Sequence, residues 1–142
     1  MIRRLEPGDG ADLHLVIRDA LGYDIDEALI RERIEALGDG GASAAWVAQE
    51  DGAAVGYIHA ALYPSLYLGK MANIMALAVA PGYQGRGIGR ALLERAEAWA
   101  KENGCTGMRL NSGDERTGAH AFYRSCGYTV RKEQKQFIKR FD

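Results

Sequence analysis

Leu77-Ala78-Val79-Ala80-Pro81-Gly82-Tyr83-Gln84-Gly85-Arg86-Gly87-Ile88-Gly89-Arg90 joins an apolar run to an amphipathic one through a glycine-rich turn. Upstream, Met71 to Ala80 is almost continuously apolar, the pattern of a strand buried on both faces, and Pro81-Gly82 ends it. Downstream, Ile88, Leu92, Ala96 and Trp99 share one face of a helix that reaches about Lys101 and stops at Asn103-Gly104. A helix start exposes unpaired N–H groups and the positive end of the dipole, and glycines let that backbone approach an anion closely. The loop is therefore a candidate phosphate site, with Arg86 and Arg90 able to add charge-assisted contacts. No Lys or Ser lies between Gly82 and Arg95, which excludes a P-loop. A dinucleotide fingerprint beginning at Gly85 would need a small residue where Arg90 stands.

Working back from this stretch, Ala44–Glu50 and Ala54–Leu62 have strand composition, and Asp51-Gly52 between them supplies the positive φ angles of a tight hairpin. Pro64 to Gly69 reads as a connection. Leu13, Val16, Ile17, Ala20 and Leu21 fall on one helical stripe that Gly22 ends. Asp24 or Asp26 can cap a second helix carrying Ile30, Ile34 and Leu37, with Gly38-Asp39-Gly40-Gly41 as its stop. Ile2–Leu5 forms a first short strand, closed by Pro7-Gly8-Asp9-Gly10. Working forward, Met108–Asn111 is a short strand; Ala119, Phe122, Tyr123 and Cys126 mark a compact helix ended by Gly127. Tyr128–Arg131 and Gln136–Phe141 are expected to be two further strands. The expected order is β-α-α-β-β-β-α-β-α-β-β.

The 142 residues, 47% hydrophobic and 26% charged, suit one soluble domain with a core that needs no disulfide or metal. Eighteen basic residues against 19 acidic ones leave a net charge of −1, so no global field favours nucleic acid or an anionic membrane. Cys105 and Cys126 have neither metal-ligand nor CxxC spacing and are expected to be free thiols. The first residues lack the apolar run of a signal peptide, and no stretch approaches the ~20 apolar residues of a membrane span, so a cytoplasmic location is expected.

Gln84-Gly85-Arg86-Gly87-Ile88-Gly89 resembles the Gln/Arg-x-x-Gly-x-Gly/Ala signature of the GNAT superfamily of acyl-CoA N-acyltransferases. Ala119-His120-Ala121-Phe122-Tyr123-Arg124-Ser125-Cys126-Gly127-Tyr128 looks like that family's C-terminal segment, and the element order from Ala44 onward is similar to the family's. The resemblance implies a single α/β (α+β) domain over residues 1–142. Its central sheet would be mixed and mostly antiparallel, with six to seven strands, flanked by about four helices and splayed between the fourth and fifth strands. It further implies an acetyl-CoA-dependent N-acetyltransferase acting on a primary amine of a small molecule by direct attack on the thioester. A homodimer is the family default.

By the same resemblance, backbone N–H groups of Gln84, Gly85, Arg86, Gly87, Ile88 and Gly89, with Arg90 beside them, hold the pyrophosphate of CoA. Leu77, Ala78 and Val79 pair with the pantetheine arm, an N–H near Leu77 stabilises the oxyanion, and Asn111, Ser112 and Arg116 are further cofactor contacts. Tyr123 matches the tyrosine that protonates the departing thiolate, a task suited to a phenol that is neutral at pH 7; packing beside Phe122 is the bland alternative. Where relatives carry a carboxylate on the central strand, this chain has Asn73, Met75 and Ala76. Deprotonation of the amine would then fall to water, His59 or His120. Asp24, Asp26 and Glu27 are candidates for attracting a cationic amine, or else cap and solvate a helix. Tyr63 and Tyr67 are candidate liners of the acceptor pocket. A non-catalytic acyl-CoA sensor of the same fold is the alternative function, and a nucleotide-binding protein unrelated to acyl transfer a third.

Overall fold

Strand alternation sets up two apolar faces in the computed structural model, which describes residues 1–38 and 41–141 and divides into the compact units Met1–Asn111 and Ser112–Asp142. In the first unit, β1 (Ile2–Arg4), β2 (Ser43–Glu50), β3 (Ala53–Ser65), β4 (Gly69–Val79) and β5 (Gly107–Arg109) form a sheet in chain order. The first four strands are antiparallel and β5 is parallel to β4. The β2–β3 hairpin turns at Asp51-Gly52 with φ of 52° and 79°, the left-handed pair this dipeptide was expected to supply.

Cross-strand partners share a face, so the pairs Trp46↔Ile58 and Ile58↔Leu77 point one way while Ala45↔His59, Val47↔Tyr57 and His59↔Ala76 point the other. The first face is covered by α3 (Ile88–Glu102), whose Ile88, Leu92, Ala96 and Trp99 are buried as their spacing required. Trp99 meets Trp46 edge-on at 5.9 Å, and the Arg4 and Arg95 guanidinium groups lie 4.9 and 5.1 Å from the Trp46 ring. The second face is covered by α1 (Gly10–Val16) and α2 (Glu27–Leu37). Their Leu13, Ile30 and Ile34 join Val47 and Ala54 in a core that also packs Leu5, Ile17, Ile25 and Tyr57. Burial of each large aliphatic contributes about 2 kcal/mol. Asp9, 5% exposed, ties β1 to the start of α1 by accepting from the Arg3 guanidinium at 2.7 and 3.0 Å and from Glu6 N–H at 2.8 Å. Burial alone would raise its pKa; these donors hold it below the usual carboxylate value.

The first helix does not run regularly to Leu21. After Val16 it widens into a π turn, Ile17–Leu21, before ending at Gly22. The β3–β4 connection is also shorter than expected: β3 continues through Pro64 to Ser65 and β4 begins at Gly69. The stop expected at Gly38-Asp39-Gly40-Gly41 falls partly on residues 39 and 40, outside the described residues.

The second unit contains α4 (Thr117–Ser125), begun by Arg116 and closed at Cys126. The two strands expected at Tyr128–Arg131 and Gln136–Phe141 are not formed among the described residues, so the sheet has five strands rather than six to seven. A strand exists only through a ladder partner, which composition cannot supply. In Gln136–Phe141 the apolar Phe137 and Ile138 are also consecutive, so no single pleated face would be apolar. No described helix is long and apolar enough to cross a membrane.

Candidate active site

Three features of the first unit converge on β4. At its C-terminal end the chain passes through a short turn, Pro81–Tyr83, into a loop where Gly85 and Gly87 have φ of +78° and +83°. Side chains rarely adopt this region, and an added Cβ at either position would point into open space. Gly87 caps α3 without any side-chain hydrogen bond, and the first turn of α3 holds no acidic residue. The first-turn N–H groups are thus aimed at the loop with no carboxylate competing for them, which fits the diphosphate of CoA. The Gln84 side chain donates to Val79 O at 3.0 Å and fixes the loop to the end of β4. Arg86 stacks on Tyr83 at 4.9 Å, and Tyr83 donates to Asp51 at 3.3 Å.

The second feature is the open edge of β4. Its pairing with β5 covers only Met71, Asn73 and Ala72 between them, so from Ile74 to Val79 β4 has no ladder partner on that side among the described residues. This is the splaying expected between the fourth and fifth strands, and it leaves the backbone beside Leu77, Ala78 and Val79 available to an extended ligand arm.

The third feature is a β-bulge. His59 pairs with Ala76 but Ala60 pairs with Ile74, so Met75 is the extra residue. Without it, Ile74 and Ala76 would share a face. With it, Ile74 turns toward α3 while Ala76 turns toward α1 and α2. There Ala76, Met75, Tyr57 and His59 line a cavity of about 470 Å³. Leu13, Ile17, Leu21, Ile25, Ile30 and Ile34 contribute much of its remaining wall, and Tyr23 and Arg33 also reach it. Ile17 and Leu21 come from the π turn, a local widening often found at functional sites. Desolvation lowers the pKa of His59, whose Nε2 is 3.5 Å from Ser43 Oγ. Burial pushes the Tyr57 phenol up to about 12. Both groups are therefore neutral at pH 7.

The other expected acceptor residues fare differently. Asp26 accepts from Ala28 N–H at 2.9 Å as the α2 cap, Glu27 pairs with Arg31 at 3.3 Å, and Asp24 stands beside His14 at 3.8 Å. None of the three lines the cavity. Tyr67 is at the β3–β4 hairpin tip, 76% exposed and outside it. Asn73 lies next to the bulge: its Oδ1 accepts from Arg109 at 2.6 Å and its Nδ2 contacts Met75 Sδ at 3.1 Å. Arg109 also donates to Asn111 at 3.3 Å and sits 4.4 Å from the Tyr63 ring centre. Tyr57 and Arg109 were not among the residues singled out from sequence, and Met75 was named there only as a central-strand position without a carboxylate. Tyr57 carried a legible signal, since it precedes His59 by two positions and so shares its strand face; the bulge and the Arg109 cluster carried none.

In the second unit, Tyr123 packs against Phe122 and Tyr128, with ring centres 5.3 and 5.9 Å away. Desolvation raises its pKa, more than the nearby Arg116 lowers it, so the phenol keeps its proton at pH 7. Arg116 begins α4, and His120 on that helix contacts Gly113 O through Nε2 at 2.9 Å. The Ser112 hydroxyl is buried with no partner.

Comparison with known proteins adds three findings. The family described as "Acetyltransferase (GNAT) family" matches residues 13–128. The aminoglycoside N(6')-acetyltransferase type 1 of Stenotrophomonas maltophilia is 31% identical over 131 residues, spanning 89% of this chain and 84% of the relative. Among solved structures, an aminoglycoside 6'-N-acetyltransferase from Acinetobacter haemolyticus superposes with a TM-score of 0.83 at 20% identity, over 100% of this chain and 99% of that one. AAC(6')-Iy in complex with the bisubstrate analogue CoA-S-monomethyl-acetylneamine superposes at 0.84 and 19% identity, over 99% and 98%. At these identities the structural likeness shows a shared fold.

Proposed function

Because the chain belongs to the acetyltransferase (GNAT) family, we propose that it transfers the acetyl group of acetyl-CoA to the primary amine of a small molecule. The observation that carries this reading is the alignment of three features along one strand: a glycine-capped helix start at one end of β4, an unpaired edge from Ile74 to Val79, and a cavity reached through Ala76. Amides from Gln84 to Gly89 would hold the diphosphate, with Arg86 and Arg90 alongside, and the β4 edge at Leu77, Ala78 and Val79 would hold the pantetheine. The cofactor supplies the acetyl group as a reactive thioester.

An amine in the cavity attacks the acetyl carbonyl carbon; the C–N bond forms as the C–S bond breaks. The proton lost by nitrogen goes to neutral His59, which pairs with Ala76 across the strand and lines the same cavity. A backbone N–H near Leu77 stabilises the oxyanion, worth about 3 kcal/mol if it acts like other such donors. We assign Tyr123 as the donor that returns a proton to the thiolate, a role its raised pKa supports. His59 releases its proton to solvent and Tyr123 regains one from it, so the balance is one amine and one thioester in, one amide and one thiol out. The relatives named as aminoglycoside 6'-N-acetyltransferases support an amine acceptor.

Purified protein incubated with acetyl-CoA and a panel of primary amines should release free thiol in proportion to amide formed. Tight CoA binding by calorimetry with no thiol release for any amine would favour an acyl-CoA sensor instead. Thermal stabilisation by ATP or NAD but not by CoA would remove the acyl-transfer reading.

A further inference from the structure

The cavity under α1 and α2 is large enough for a small organic molecule, yet its chemistry is not that of a polycation site. Apolar side chains, six of them from α1, the π turn and α2, make most of its wall, and among the described residues no Asp or Glu lines it. Four acidic groups of α1, α2 and the segment between them are engaged elsewhere: Asp26 caps α2, Glu27 pairs with Arg31, Asp24 stands beside His14, and Asp12 accepts from Ala54 N–H at 3.0 Å. Among the described residues, the one charged side chain that reaches the cavity is Arg33, which repels further cations. Each ammonium of a multiply charged amine would have to leave water without a counter-ion, and burying an unpaired charge is strongly unfavourable.

We propose that the acceptor is a monoamine on an apolar body, an alkyl or aralkyl primary amine, and that polycationic amines are rejected. This rests on the acetyl-transfer reading and names the substrate class of that site. The apolar wall takes the body, while Tyr57 and His59, both neutral and both on β3, are available to a single nitrogen. Desolvation in such a pocket also favours the uncharged, nucleophilic amine over its ammonium form. A carboxylate wall would do the opposite, since it stabilises the ammonium. The chain thus departs from what the names of its aminoglycoside-modifying relatives suggest.

The test compares butylamine, hexylamine and 2-phenylethylamine with spermidine and neamine in the thiol-release assay. The expected result is a kcat/KM that rises about fourfold for each methylene added along the alkyl series, the increment of one buried CH₂, with spermidine and neamine the poorest substrates. Neamine or spermidine at the top, or no dependence on chain length, would overturn the proposal. Calorimetric titration of 2-phenylethylamine and neamine into the CoA-bound protein needs no turnover and separates the two ideas. Binding of 2-phenylethylamine but not neamine, with no acetylation of either, would sink the catalytic reading and leave the pocket assignment standing; the reverse preference, or no binding of 2-phenylethylamine, would overturn the pocket assignment. Leu21→Glu, at a half-buried wall position, should weaken 2-phenylethylamine and improve spermidine, an inversion that general loss of folding would not produce.

Discussion

Tyr123 and His59 illustrate how differently two single residues can be read. Tyr123 sits in a motif with a recognisable neighbourhood, whereas His59 is an isolated histidine whose position means nothing until β3 and β4 are in register. Their tests differ as well. Tyr123→Phe removes only the hydroxyl, so kcat should fall by about a hundredfold, the scale of lost general-acid catalysis, while calorimetric CoA affinity stays the same; a wild-type rate would remove the acid. For His59, burial depresses the pKa, so the neutral base persists as pH falls to below the usual histidine value and is lost only beneath it. With a saturating amine, kcat should therefore be level near neutrality and decline along an acidic limb whose midpoint lies below about 6.5. In His59→Gln the rate should drop by about a hundredfold and that limb should vanish; an unchanged limb would exclude His59.

Elements were legible where local chemistry governs them. The stripe on α3, the Asp51-Gly52 turn and the glycine-rich start of α3 follow from spacing and backbone freedom, and all three are present as expected. The proposed phosphate-binding role of the loop can be tested at this scale. Gly87→Val places a β-branched side chain at φ +83°, in open space that a phosphate would otherwise use. CoA affinity should fall by tenfold or more (about 1.4 kcal/mol), read by calorimetry, and unchanged affinity would count against the loop. The π turn at Ile17–Leu21 and the bulge at Met75 were not legible. Each inserts a residue's worth of backbone to suit packing partners far away in sequence, and nothing in the apolar pattern marks it. Both nevertheless shape the cavity, because they decide where Ile17, Leu21 and Ala76 point.

At the scale of the whole molecule, the buried strands and the C-terminal residues should separate cleanly in amide exchange. Trp46, Val47 and Ile58 are 1%, 0% and 0% exposed within a continuous ladder, so their amides should be among the slowest to exchange. Residues 128–141 have no ladder, and Phe137, Ile138 and Phe141 are 90%, 72% and 87% exposed, so this segment should exchange orders of magnitude faster. Strong protection there would show that the expected last two strands form after all. The expectation of six to seven strands failed because apolar composition reports a preference for extended backbone, while a strand also needs a partner edge.

Residue order by itself determined the glycine-rich loop, the helix and hairpin boundaries around it, and the family, since these depend on neighbours within a few positions and on the conformational freedom of glycine. Only the tertiary structure decided the cavity proposed for the acceptor. Ala45, Tyr57, His59 and Ala76 come from three strands, and Leu13, Ile17, Leu21 and Ile30 from two helical segments. Whether they enclose an apolar space or an acidic one depended on strand register, on one bulge, and on where Asp24, Asp26 and Glu27 found partners, all of which are long-range packing outcomes.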